Sequence, residues 1–280
     1  MSTNFTAEQT ALLEIINLSV TSLSVLSLIF VMYCYRYIPA LHTFPMKLIM
    51  SLVVSEFFFS TANLLSFMRS NPYFCFVEGY LRASSSLSAA LWISIFIWVS
   101  YRQITNFNKN ISSIYPKALF LNLSIALLPS SIAAYVEFTT GNIYFGNDLE
   151  FCSIIPAHYE MLFVEGPVLV VIIIVFYYVF KIIWFLKEIF KDQTVLEYSS
   201  LTNYAFIFAI LWMIPVIDRI IYFFNGTPIF PLVVTHIILS RAVGVIITII
   251  FYKTKRIKIR EFWSGAKEQD PSIKDPNTSQ

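Results

Sequence analysis

Residues 229 to 260 read IFPLVVTHIILSRAVGVIITIIFYKTKRIKIR. The first 24 of them carry a single formal charge, Arg241, and the last eight carry five, all basic. A helix needs roughly 20 mainly apolar residues to cross the hydrocarbon core of a bilayer, so 229–252 is long enough to span. The cations behind it mark the side on which the span ends, because Lys and Arg in short loops stay cytoplasmic.

Six more runs of spanning length precede this one, at about 11 to 35, 44 to 67, 75 to 101, 117 to 137, 160 to 187 and 199 to 224. The whole 280-residue chain is 57% apolar, 17% aromatic and only 13% charged, outside the range of soluble domains. The expected architecture is an all-α membrane protein, a bundle of seven transmembrane helices. A short N-terminal segment (1–10) precedes the membrane domain (11–252), and a tail (253–280) follows it. The opening MSTNFTAEQT has no Lys or Arg and runs straight into an apolar stretch, so the first span is expected to act as its own targeting signal.

Charge placement orients the bundle. Arg36, Lys47, Arg102, Lys109, Lys117, Lys181, Lys187, Lys191 and the 253–260 cluster fall on one side of the seven-span arrangement. Glu8, Glu137, Asp148 and Glu150 fall on the other, with Arg69 alone against them. The N-terminus is therefore expected outside and the C-terminus in the cytoplasm, in the plasma membrane. Residues 254–267, TKRIKIREFWSGAK, alternate basic and apolar side chains; an amphipathic helix on the anionic inner leaflet and a solvated tail are both compatible with that pattern.

Of three cysteines, Cys75 and Cys152 fall on the outer side and are expected to form a bridge tying the longest outer loop to the third span. Cys34 reads as a packing residue. Asn4 (NFT) and Asn225 (NGT) are outer sequons open to glycosylation, whereas Asn17, Asn110, Asn122 and Asn277 fall in helices or inside.

Charges within the spans cost about 2.5–3.5 kcal/mol each on insertion scales and mark interior or functional positions. Glu78 and Arg82 share one helical face four residues apart. With Glu165, Asp218 and Arg219 they are the candidate ligand-binding residues of the outer half, where an arginine fork would suit an anionic group. Mutual neutralisation without any ligand explains the same charges. Glu56 and Arg241 sit near mid-span and are expected to pair, as a switch element or as a static strut. Pro215 in LWMIPVIDR removes a backbone donor and should kink the sixth span, giving it a pivot; Pro167 should act similarly in the fifth.

The run from Cys75, CFVEGYLRASSSLSAALWISIFIW, resembles the third span of the cyclic-AMP-receptor-like (class E) seven-span receptors and, more distantly, of the secretin-like and frizzled receptors. KLIMSLVVSEFFFS and LWMIPVIDRI resemble their second and sixth spans, with Asp218 where the family carries Asn before Arg219. The seventh span lacks the Gly-Phe and Asn residues of the family, and rhodopsin-type signatures are absent: the third span ends SYRQI, and span seven has no Asn-Pro pair. The resemblance implies a G-protein-coupled receptor for a small extracellular ligand, an anionic, cyclic-nucleotide-like one among the options. Arg102 and the loop around Asn106 to Ser113 are then the heterotrimeric G-protein contacts.

Two other functions compete, a non-signalling subunit of a larger membrane complex and a transporter, although no internal repeat of the transporter kind is visible. An enzyme is not expected: His42, His158 and His236 are scattered, and no metal site, cofactor or nucleic-acid partner is implied.

Overall fold

The structure is a computed structural model and describes residues 5–68, 70–106, 111–141, 145–148, 151–154, 157–189 and 195–263. Asn4, Arg69, Lys109, Asn110, Glu150, Lys191, Asn277 and the tail beyond 263 lie outside the described residues. Among the described residues seven helices are long and apolar enough to cross a membrane. We label them α1 (Ala7–Tyr37), α2 (Phe44–Leu64), α3 (Pro72–Asn106), α4 (Tyr115–Thr140), α5 (Gly166–Ile189, entered through two shorter turns described below), α6 (Val195–Asn225) and α7 (Phe230–Trp263). The chain is thus a multi-pass helical membrane protein, as hydropathy implied.

The helix ends follow local chemistry. Thr6 and Gln9 form a reciprocal capping box at the start of α1, each side chain accepting from the other's backbone N–H, at 3.2 and 3.0 Å. α2 and α4 begin with Pro45 and Pro116 in the first turn, where a missing N–H costs nothing. α4 and α6 stop at Gly141 and Gly226, both left-handed (φ 68° and 67°), which glycine adopts without strain.

α3 is the axis of the bundle: 78% of its most apolar window is buried, against 22% for α1 and 28% for α4. Its small residues let neighbours approach. Ser88 bonds Ser55 of α2 at 2.9 Å and Asn122 of α4 at 2.6 Å, and the Asn122 amide returns a bond to the Ser88 carbonyl. Asn122, a silent sequon by sequence, is buried packing chemistry. Outward-facing Leu26, Phe120, Ile173 and Phe180 are exposed, an apolar girdle that a protein in water would not carry and that lipid covers. Cys34 is buried and free, as its packing role required.

Residues 145–148 and 151–154 form a two-stranded antiparallel hairpin, β1 and β2, pairing Phe145 with Ile154 and Asn147 with Cys152. Cys152 is bonded to Cys75 at the start of α3, with Cα atoms 5.2 Å apart. The hairpin lies flat on α3 because residue 79 is glycine; a side chain there would run into the Phe145 ring. We call this end of the bundle the hairpin face.

α7 continues without a break well past Tyr252. At 1.5 Å per residue its 34 residues span about 51 Å, so its last turns lie beyond a ~30 Å hydrocarbon core. There Ile259 is buried with Ile38 and Leu41, Lys258 Nζ donates to the Ala40 carbonyl at 3.1 Å, and Trp263 stacks on Tyr33 of α1. The first part of the basic segment is therefore a helix docked against α1.

α1 and α7 come close at Gly244, where a Cβ would overlap Ser24 Oγ and the Leu28 side chain. Gly244→Ala is expected to cost about 1–3 kcal/mol, the range for overpacking a tight core, and to lower the thermal unfolding midpoint in detergent. Ser24→Gly in the same chain should restore part of the loss. An unchanged midpoint for Gly244→Ala would contradict this contact.

Candidate functional site

The entry to α5 carries the unusual geometry. A single α turn, Ala157–Glu160, leads into a π-helical turn, Met161–Glu165, and only then into the regular helix. Pro167 explains why the ladder fails here: it has no N–H to give to the carbonyl four residues back. The Gly166 N–H instead bonds the Met161 carbonyl, five residues back, and a Cβ on residue 166 would stand 3.0 Å from that oxygen. In an α-helix, residues five apart point about 140° away from each other. A π turn, closing i to i+5, lines them up, and Glu160 and Glu165 both turn inward, 5% and 8% exposed.

The inward charges then find partners across helices. Arg82 of α3 donates through Nη2 to Glu160 Oε1 at 2.7 Å. Glu78, one turn earlier on the same face, accepts the backbone N–H of Cys152 at 3.3 Å, a second tie between hairpin and α3 beside the disulfide. On the other wall, His236 of α7 pairs with Asp218 of α6, Nδ1 to Oδ2 at 2.7 Å. Arg219 follows Asp218 and is buried as well. The five ligand-site candidates from sequence therefore lie in one buried region, together with Glu160 and His236, which sequence reasoning did not select.

Arg241 departs from expectation. The pair foreseen between Arg241 and Glu56 is not hydrogen-bonded: both Glu56 carboxylate oxygens are buried and accept no hydrogen bond. Arg241 Nε donates to Asn17 Oδ1 of α1 at 3.0 Å, its Nη1 to Ser240 at 3.4 Å, and the guanidinium lies over the Phe59 ring at 5.2 Å. The reason is packing: Gly244 lets α1 settle so near α7 that Asn17 reaches the guanidinium.

Between α3, the π turn, α6 and α7 lies a cavity of about 20 Å³, lined by Arg82, Ser86, Glu160, Glu165, Trp212 and His236 among others. As it stands it has room for about one water molecule, so a larger molecule enters only if its walls move. Among the polar atoms of its lining residues that are buried with no hydrogen-bond partner are Glu165 Oε2 and Trp212 Nε1. Trp212 stands on α6 three residues before Pro215 and packs on Phe59 and Phe208, both at 5.6 Å between ring centres. α6 runs through Pro215 as one helix.

The remaining candidates lie elsewhere. Arg102 is exposed near the far end of α3, its guanidinium 5.4 Å over the Trp98 ring. Asn225 is exposed at the last residue of α6. Among the described residues no cluster of His, Cys, Asp and Glu is arranged to hold a metal ion.

No known family model matches the chain, and no curated protein does.

The Arg82–Glu160 pair yields a cycle to measure. Removing one partner of a buried pair strands the other charge, so Arg82→Met alone should destabilise the detergent-solubilised protein by about 3–5 kcal/mol. Arg82→Met with Glu160→Met should regain most of it. Equal loss in single and double variants would mean the pair is not formed.

Proposed function

We propose that this protein is a plasma-membrane receptor that binds a small extracellular ligand in the cavity at the hairpin face and signals through a heterotrimeric G protein at the opposite end. In this reading the N-terminus and hairpin are outside, and the basic end of α7 is in the cytoplasm. The observation that carries it is the cavity wall: Glu165 Oε2 is an acceptor without a donor, and Trp212 Nε1 a donor without an acceptor, both buried. Unmatched polar atoms in a dry interior cost about 1–3 kcal/mol each, and a bound molecule relieves that cost.

The same wall supports a route for the signal. Trp212 links the cavity to α6 just ahead of Pro215, where the Leu211 carbonyl has lost its helical donor and the helix bends easily. A ligand that displaces Trp212 favours a different tilt of α6 and shifts the population at the far end, where exposed Arg102 is available to a partner. The resemblance in spans two, three and six points the same way. The cavity's small volume favours a second reading, a non-signalling subunit that is stable without ligand.

Expression in cells with a second-messenger readout, against a panel of small extracellular metabolites, separates the two. A receptor gives a response that falls about tenfold in potency in Trp212→Ala, within the 5–150-fold of ordinary allosteric coupling. Arg102→Ala should reduce the response while leaving ligand binding unchanged. Silence with normal surface expression, and stable co-purification with another membrane protein, favours the subunit. Epitope tags accessible on the same side at both chain ends would exclude the receptor orientation.

A further inference from the structure

The end of α7 carries a pattern that the receptor reading leaves unused. Five of the eight residues 253–260 are basic. At about 100° of rotation per residue, Lys253, Arg256 and Arg260 fall on one stripe of the helix, with Ile257 at one edge and Trp263 at the other. All five are exposed. The docked side of the helix is the opposite one, where Lys258 donates to the Ala40 carbonyl. The acid nearest the stripe is Glu261, beyond Ile257, so the stripe itself is cationic.

α1 fixes the depth at which this stripe stands. The two helices run parallel and in register: Leu13 packs with Val233 and Ile237, and Ser24 lies against Gly244. In that register Tyr33 is level with Lys253. Its ring nevertheless stacks on Trp263, ten residues later and about 15 Å further along a straight helix, with ring centres 6.5 Å apart. The last turns of α7 therefore lean across the end of α1 and do not run straight out into water. Tyr33, Tyr37 and Trp263 form a row of contacting rings, 47%, 55% and 60% exposed, continuous with the apolar girdle. Tyr and Trp in such a row mark the headgroup level of a bilayer, and cations beside them face lipid phosphates.

We propose that Lys253, Arg256 and Arg260 form a docking site for the headgroup of an anionic phospholipid, of the kind the cytoplasmic leaflet carries, with its chains along the Tyr33, Tyr37 and Trp263 rings. Arg256 and Arg260 are one turn apart, near enough for both guanidinium forks to reach one phosphate, and Lys253 extends the positive field by a further turn. An acidic protein would use the same cations but not a row of bare rings at lipid level. The site goes beyond the receptor reading, since it needs neither an extracellular ligand nor a G protein.

The full-length protein in detergent micelles is titrated with phosphatidylserine and with phosphatidylcholine of the same chain length, and bound lipids are counted by native mass spectrometry. Phosphatidylserine should bind at least tenfold more tightly. Arg256→Gln should weaken it by about fivefold, the ratio expected for one cation at an anionic surface, and Arg256→Gln with Arg260→Gln by about 25-fold. Phosphatidylcholine binding should not change. Both arginines are exposed, so an unaltered unfolding midpoint in lipid-free micelles checks that the variants fold. A control that removes the same charge elsewhere on the basic side, Arg102→Gln with Lys117→Gln, should bind phosphatidylserine as the unaltered protein does. Equal affinity for the two lipids overturns the proposal and leaves the stripe to an acidic protein. Equal losses in the control and the double variant also overturn it, because net charge and not this stripe would then set the affinity.

Discussion

Hydrocarbon offers no hydrogen bonds, so a helix that carries Arg82, Arg219 or Arg241 into the membrane is tolerated only if the bundle itself supplies the acceptors. That demand shapes one half of this molecule. Arg82 takes Glu160 from the α5 entry, His236 takes Asp218 from α6, and Arg241 takes Asn17 from α1. Each of these contacts joins a different pair of elements. Together they fix how α1, α3, α6, α7 and the α5 entry face one another at the hairpin end, in a solvent where apolar burial contributes little to helix association.

The opposite requirement, close approach without charge, organises the rest. Ser88 of α3 holds α2 and α4 through Ser55 and Asn122, and Gly244 seats α7 on α1. Gly79 does the same for the hairpin, which the disulfide and the Glu78 carboxylate then hold in place. α3 thus serves as the post to which the hairpin, α2 and α4 are fastened by small residues, while its own Arg82 reaches sideways to the α5 entry.

The spans were legible because each is a long apolar run with charges beyond its ends: 11–35 became Ala7–Tyr37, and 75–101 became Pro72–Asn106. The cystine was legible because two cysteines fell at one membrane level. Partner choice was not. Hydropathy says that Arg241 lies in a helix, but whether it meets Glu56 or Asn17 depends on which helix comes nearer, and that was decided by an absent side chain at Gly244. Glu160 was overlooked as the first residue of a span, since regular helical spacing puts it on a different face from Glu165. The Gly166–Pro167 pair was the available signal, because a proline just inside a span disrupts the ladder behind it and permits the wider turn. His236 was weighed only as a metal ligand, and its real partner, Asp218, lay in a helix whose rotation the sequence does not state.

The cavity is small, yet the walls around it are not equally stiff. α2, α3 and α7 are held by side-chain bonds and, for α7, by the Gly244 contact with α1, and their ladders are regular where they line the void. The two walls contributed by the α5 entry and α6 each contain a break, the π turn at Met161–Glu165 and Pro215. A regular helix resists a one-residue change of register because every bond must break at once. A π turn already holds the extra residue, and converting it to α geometry rotates what precedes it by about 100°, enough to carry Glu160 out of line with Glu165. Glu160 is held in line by Arg82, and Trp212 is wedged against Phe59. Enlarging the void therefore strains the Arg82–Glu160 pair and the Trp212 contact before it disturbs the rest of the bundle. Those are the two places where a bound molecule is able to exchange binding energy for movement.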